Sequence, residues 1–373
     1  MPCDHGLPPL LFEPIYKEKV WGGRALEQKL AKNIPRGAAI GESWELSAVP
    51  GDESRALSAP YSGKTLPSIF ESEKERIVGK GRFSFFPLLY KFIDSHEKLS
   101  IQVHPKDQAA RAGMPEVFGK TECWFVVDGK PGAELICGFQ KGATLQDIKD
   151  ALKQDRLPEV CNFVSIKPGD VVFVPAGTVH ALIDSMIIYE VQQTSDTTFR
   201  LYDWGRVGKN GVSRPLHVQE ALRTIELDDH DQHIIPPVVL ANEKGVYHAV
   251  RVACRYFTLE EYRVASSLSL AFGPKNSFQV VTMLDGELIY AGASGRERIA
   301  KGQTALIPAC VGPLDICSKG PAHFLVSYVP DIKEGIVNPL LKKGIPREAI
   351  AGLGGSPASN DIIGILEGLR EWG

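Results

Sequence analysis

Residues 99–104, Leu-Ser-Ile-Gln-Val-His, alternate strictly between apolar and polar side chains. Period two is the spacing of a strand, so Ser100, Gln102 and His104 share one face while Leu99, Ile101 and Val103 take the other. After an insert of seventeen residues, Glu122-Cys-Trp-Phe-Val-Val-Asp-Gly129 opens a second strand with a carboxylate at its first position. A third segment, Gly169-Asp-Val-Val-Phe-Val-Pro-Ala-Gly-Thr-Val-His180, reads as a strand, a Pro/Gly turn and a histidine directly after it. Two imidazoles, one carboxylate and one amide oxygen form a donor set for a divalent ion, and the three runs predict a β scaffold to hold them.

Working outward, short runs rich in aromatic and β-branched residues predict further strands at 43–49, 85–93, 134–138, 187–193 and 198–204, separated mostly by Gly, Pro, Asp or Ser, as in a sandwich or barrel. Helical spacing is confined chiefly to 68–78, 145–152 and 218–225, which read as insertions on a β body. The acidic stretch 226–237, ending in Pro236-Pro237, predicts a linker, and His230-Asp-Gln-His233 within it reads as solvated rather than metal-binding. Strand-like runs resume at 249–253, 257–264, 277–284, 286–290, 303–307 and 323–328, predicting a second, smaller β domain. A Gly/Ser-rich stretch at 352–360 and a short helix at 362–372 follow, with no assigned role.

The composition narrows the partners. With 42 basic and 45 acidic residues among 373, the net charge is −3, and no sequence-wide basic field exists to collect a phosphate backbone, so nucleic acid is an unexpected partner. Residues 1–20 carry no signal-peptide pattern, and no eighteen consecutive apolar residues occur, so neither secretion nor a membrane span is expected. Seven cysteines without a C-x-x-C fit reduced thiols in a cytoplasm.

The spacing Gly169, Pro175, Gly177, His180 resembles the second cupin motif, with Asp184 where that motif usually has Asn. Gln102-x-His104, Glu122 and Gly129 resemble the first, its usual short gap stretched by residues 105–121. Together with Gly119-Lys-Thr-Glu122, Val-Pro-Ala-Gly-Thr-Val-His180-Ala-Leu and Phe199-Arg-Leu-Tyr-Asp-Trp-Gly-Arg206, these motifs make the chain similar to type I phosphomannose isomerases in their shorter prokaryotic form, from about Pro14 to about Pro330. The resemblance implies a mainly β fold with two cupin-like (jelly-roll) β-barrel domains and helical insertions. Residues 1–230 would form the metal-binding catalytic domain, 231–330 a degenerate second domain and 331–373 a tail. It implies one Zn2+ held by Gln102, His104, Glu122 and His180, Arg200 as the active-site arginine with Glu190 facing the same cavity, and a sugar phosphate interconverted between aldose and ketose. Longer members of the family read His-Lys-Pro-Glu around the carboxylate ligand; here Gly119 and Thr121 replace the histidine and the proline, so no base at that histidine can operate. In the second domain the turn from Gly302 to Pro308 is followed by Cys310, Val311 and Gly312 with no histidine, so that domain is expected to be metal-free.

Aldose–ketose interconversion moves a proton between C1 and C2 through an enediol, so it needs an electrophile at the carbonyl oxygen and a base at carbon. Glu190 is the leading acid/base candidate and Lys120 the second, with Arg200 stabilising the enediolate. A strand-to-strand salt bridge is the structural alternative for Arg200 and Glu190. For the phosphate, the resemblance implies Ser100 and Arg206, with Lys106 as a further candidate. Two other classes share part of the pattern: a non-haem iron cupin oxygenase, against which the fourth ligand Gln102 argues, and a non-enzymatic metal-dependent sugar-binding cupin. A monomer or a homodimer is compatible with all three.

Overall fold

The computed structural model describes residues 7–79, 83–107, 118–208, 211–227, 233–272, 277–292, 295–311 and 314–369. Its body is antiparallel β structure in four larger sheets. A six-stranded sheet runs in the order Val171–Val174, Glu122–Gly129, Met186–Gln193, Leu88–Ser95, Ile40–Leu46 and Ile15–Gly23. A five-stranded sheet runs Cys161–Ser165, Glu134–Phe139, His180–Leu182, Ile101–Val103 and Phe199–Tyr202. Later in the chain come a seven-stranded sheet centred on Ala322–Tyr328 and a four-stranded sheet containing Leu314–Ser318 and Glu287–Gly292. Among the described residues no strand pairing joins the five- and six-stranded sheets into a closed barrel.

Alternation along each strand decides which layer a side chain enters. In Leu88–Ser95, Tyr90 and Phe92 enter the large core that reaches the seven-stranded sheet, whereas Ile93 enters the smaller core between the five- and six-stranded sheets. The neighbouring strands follow suit. Tyr189 and Val191 face the large core and Ile188 the small one; Cys123 and Phe125 face the large core and Trp124 and Val126 the small one. Lys91, Glu190 and Glu122 have the same parity as the small-core residues of their strands. In the five-stranded sheet Ile101, Val103, Phe199 and Leu201 point outward to a third core beneath Leu145–Lys153 and Val218–Thr224, which leaves Gln102 and Arg200 pointing inward. The two helices close that outer face, the first through a capping box between Thr144 and Asp147.

Most expected strands stand within a few residues of their expected limits. Strands at Ile15–Gly23, Cys161–Ser165, Val238–Glu243, Leu268–Phe272, Gly295–Ala300 and Leu314–Ser318 come in addition. The first strand among the described residues, Leu10–Leu11, pairs with Thr304–Ile307 and so belongs to the sheet of the later half. His233 corrects one expectation: it is 7% exposed rather than solvated, while His230 lies outside the described residues. The tail is packed, with Ile350, Leu353 and Ile362 fully buried in the large core and the helix Asp361–Gly368 at its end. No helix among the described residues is long and apolar enough to cross a membrane.

Candidate active site and metal centre

His180 pairs directly with Gln102 across two strands of the five-stranded sheet, and His104 follows the end of Ile101–Val103. Glu122 begins its strand on the facing sheet, opposite Val174. The three ligand-type residues His104, Glu122 and His180 are buried, with donor atoms all within 4.8 Å of one another. His104 Nδ1 lies 2.9 Å from the Thr197 carbonyl and His180 Nδ1 2.9 Å from the Thr178 carbonyl. A carbonyl only accepts, so each Nδ1 carries the proton and each Nε2 keeps a lone pair. Those Nε2 atoms stand 3.5 Å from the two carboxylate oxygens of Glu122, His104 from Oε2 and His180 from Oε1. Four-coordinate zinc with bonds of ~2.0–2.1 Å separates its ligand atoms by roughly 3.3 Å. The donor set therefore fits such an ion.

Electrostatics agree with that fit. Burial, reinforced by Lys120, pushes the His104 pKa well below the usual imidazole range and that of His180 down to about 4, so both rings are neutral at pH 7. Burial, with the nearby Glu190, raises the Glu122 carboxyl, because an isolated anion there is poorly solvated. A cation offsets this cost, and here Lys120 supplies one: its Nζ is 2.8 Å from both His104 Nε2 and Glu122 Oε2. The amide of Gln102 adds a fourth donor, with Nε2 3.4 Å from His180 Nε2; a half-turn of that amide exchanges Nε2 for Oε1.

Gln102, Lys120, Glu190, Ser100 and Arg200 line one cavity of about 260 Å³ beside the cluster. Five more charged residues line it that the sequence reading missed: Lys19, Glu42, Lys91, Asp196 and Arg214. Glu190 is paired not with Arg200 but with Lys91, 3.3 Å away and opposite it in register, and it accepts a 3.1 Å hydrogen bond from Trp124 Nε1. Lys91 also lies 3.8 Å from Glu42, which in turn meets Lys19 at 3.1 Å. Burial works to raise Glu42, but Lys91 and Lys19 outweigh it and hold the carboxyl at about 2. A line of alternating charges thus crosses four neighbouring strands. Arg200 donates from Nε to Ser100 Oγ at 3.3 Å and from Nη1 to the Pro215 carbonyl at 2.8 Å. The Ser100 hydroxyl in turn lies 3.2 Å from Gln102 Oε1, linking the arginine to the amide donor.

Two expected phosphate residues lie elsewhere. Lys106 is ion-paired with Glu226 and lines a separate cavity of about 580 Å³ against the tail. That cavity is larger but holds no histidine, and its Arg255 is already paired with Asp361. Arg206 does not line the 260 Å³ cavity and donates to the Lys98 carbonyl. At Gly119 an added Cβ would meet Asp107 Oδ1 at 2.2 Å and its backbone nitrogen at 2.7 Å, so no larger side chain fits without moving the backbone.

Comparison with known proteins completes the picture. Residues 10–122 match the family model for the catalytic domain of type I phosphomannose isomerase. A probable mannose-6-phosphate isomerase of Bacillus subtilis is 32% identical over 320 residues, covering 86% of this chain and 99% of the relative. A crystal structure of the mannose 6-phosphate isomerase from Bacillus subtilis superposes with a TM-score of 0.78 at 32% identity, over 86% of this chain and 99% of that one. A zinc-bound mannose 6-phosphate isomerase, only 16% identical, shares the fold with a TM-score of 0.67 over 87% of this chain and 100% of its own. By identity and coverage together, the chain belongs to the type I phosphomannose isomerase family.

Proposed function

We propose that the chain interconverts mannose 6-phosphate and fructose 6-phosphate using one zinc ion held by Gln102, His104, Glu122 and His180. The observation that carries this reading is the convergence of two neutral imidazole Nε2 atoms on a buried carboxylate beside a cation-rich cavity. Zinc bound there supplies a Lewis acid for the sugar carbonyl. Glu190 lines the same cavity, oriented by Lys91 and Trp124, and in this reading it carries the proton between C1 and C2. Lys120 is the second candidate: it touches two of the four ligands, and its ammonium competes for the Glu122 charge that a metal would take over. Arg200, permanently cationic and tied to Gln102 through Ser100, stabilises the enediolate oxygens.

The sheets facing each other across the cluster, and those of residues 231–330, fit two cupin-like jelly rolls, the second degenerate. Four buried cysteines without disulfides among the described residues fit a reducing cytoplasm. The decisive measurement is a coupled assay for fructose 6-phosphate formation with metal analysis, before and after chelation. Turnover that chelation abolishes and zinc restores is the expected result. Iron with oxygen-dependent turnover and no isomerisation would overturn the reading in favour of an oxygenase, and binding of mannose 6-phosphate without conversion would overturn it in favour of a binding module.

A further inference from the structure

Thr121, directly before Glu122, is buried, and its hydrogen bonds lead to the other segments of the site. Its Oγ1 accepts from the Ala176 N–H at 3.3 Å, and the next N–H along, that of Gly177, donates to the His104 carbonyl at 2.8 Å. The turn that delivers His180 is therefore tied to both of the other ligand-bearing segments. The Thr121 N–H donates to Gln193 Oε1 at 2.9 Å, and its carbonyl accepts from the Gln193 N–H at 3.2 Å. Gln193 ends the strand that carries Glu190. A proline at position 121 would supply neither the N–H nor the hydroxyl.

The other end of the Gln193 amide reaches outward. Its Nε2 donates to Asp107 Oδ1 at 3.1 Å, and Asp107 Oδ2 accepts from the Tyr256 hydroxyl at 2.7 Å. An amide can accept from Thr121 and donate to Asp107 at once, whereas a carboxylate at 193 would face Asp107 with like charge. Asp107 stands three residues after His104, and it fits beside position 119 only because Gly119 has no Cβ. Tyr256 belongs to the later half of the chain: it lies in the turn between Val246–Ala253 and Thr258–Val264 and packs against the large core. Asp361, at the start of the tail helix, pins that turn by accepting from the Arg255 backbone N–H at 2.8 Å and from its Nε at 2.6 Å. A continuous series of contacts thus runs from the tail and the later half to the segments carrying His104, Glu122 and His180. None of Asp107, Thr121, Gln193 and Tyr256 lines the 260 Å³ cavity. Ligands already held in place bind an ion more tightly, and removing outer contacts that hold them typically costs about 10–100-fold in affinity or activity.

We propose that Thr121, Gln193, Asp107 and Tyr256 are positioning residues for the zinc ligands, through which the later half of the chain sets the metal affinity of the earlier half; the assignment rests on the zinc reading above. The test measures zinc affinity of the full chain by competition with a chromophoric chelator. Gln193→Glu keeps the shape and the acceptor for Thr121 but sets two carboxylates against each other, and is expected to weaken zinc binding at least about tenfold. The double variant D107N/Q193E restores a donor toward position 193 and an acceptor for Tyr256, and is expected to return the affinity to within about threefold of wild type. Tyr256→Phe removes a single hydroxyl and is expected to weaken zinc binding at least about threefold. With zinc saturating, KM for mannose 6-phosphate should stay within about threefold of wild type in all three variants. Affinity within about twofold of wild type in either single variant, or a loss in Gln193→Glu that D107N/Q193E does not recover, overturns the proposal. Should Gln193→Glu fail to fold, Tyr256→Phe decides alone. If wild type takes up no zinc, it is the zinc reading that fails, and this assignment with it.

Discussion

Glu190 and Lys91 show what the sequence could and could not reveal about the site. Each is a charge in the middle of an apolar run, Met186–Gln193 and Leu88–Ser95, and each sits on the parity that faces the small core. The proposed metal-binding residues stood out because their spacing is tied to turns that only certain residues can make. Lys91 and Glu42 were not, because their partners come from strands 49 and 99 residues away along the chain, and only the sheet register brings them together. Glu190→Gln keeps the shape and the Trp124 contact but removes the charge, so we expect kcat to fall at least a hundredfold with zinc content unchanged; near-wild-type turnover would transfer the proton to Lys120. His104→Ala and His180→Ala should lose bound metal and activity together, as metal analysis would show. Arg200→Ala should retain metal and the thermal midpoint while losing turnover.

Strands declared themselves where one face is apolar and the other polar, and escaped notice where pairing rather than pattern holds them. His180–Leu182 is three residues long and exists because it bridges Glu134–Phe139 and Ile101–Val103. Ile15–Gly23 carries charge at Lys17, Glu18 and Lys19, as an edge strand often does. The three helices expected from the sequence end within two residues of those limits because apolar spacing marks each of them, and Thr65 and Thr144 cap the first two. The packing of the tail was opaque: it is rich in Ile and Leu, but their burial depends on a surface built by other segments. Gly355, at φ 74°, sits where an added Cβ would lie 2.9 Å from the ring of Phe173, on the strand paired with that of Glu122. Leu353 is fully buried, and its amide neighbourhood is tied in by the Ala253 N–H to Leu353 carbonyl bond at 3.0 Å. Leu353→Ala should cost about 2–5 kcal/mol, read as a lower urea midpoint in one cooperative transition.

The two halves of the molecule are joined by charge as well as by apolar packing. Arg251 donates to the Gly169 carbonyl at 2.6 Å, beneath the strand that leads to the His180 turn, and is ion-paired with Glu261. Burial tends to raise the Glu261 carboxyl, but the 2.9 Å hydrogen bond from His323 and the guanidiniums of Arg251 and Arg263 prevail and hold it at about 2. A carboxyl depressed on folding stabilises the native state fully above its unfolded pKa near 4.5 and progressively less as pH falls toward 2. Glu261→Gln should therefore lower stability at pH 7 by up to about 3 kcal/mol and by much less near pH 2.5, a difference that urea unfolding at the two pH values would reveal. The pairing of Leu10–Leu11 with Thr304–Ile307 has a consequence for synthesis. Leu10–Leu11 is made almost three hundred residues ahead of its partner, so that seam can be sewn only after residue 307 has left the ribosome. A protein shortened by a dozen residues at its start would present the bare backbone of Thr304–Ile307 to its neighbours, inviting them to add strands of their own.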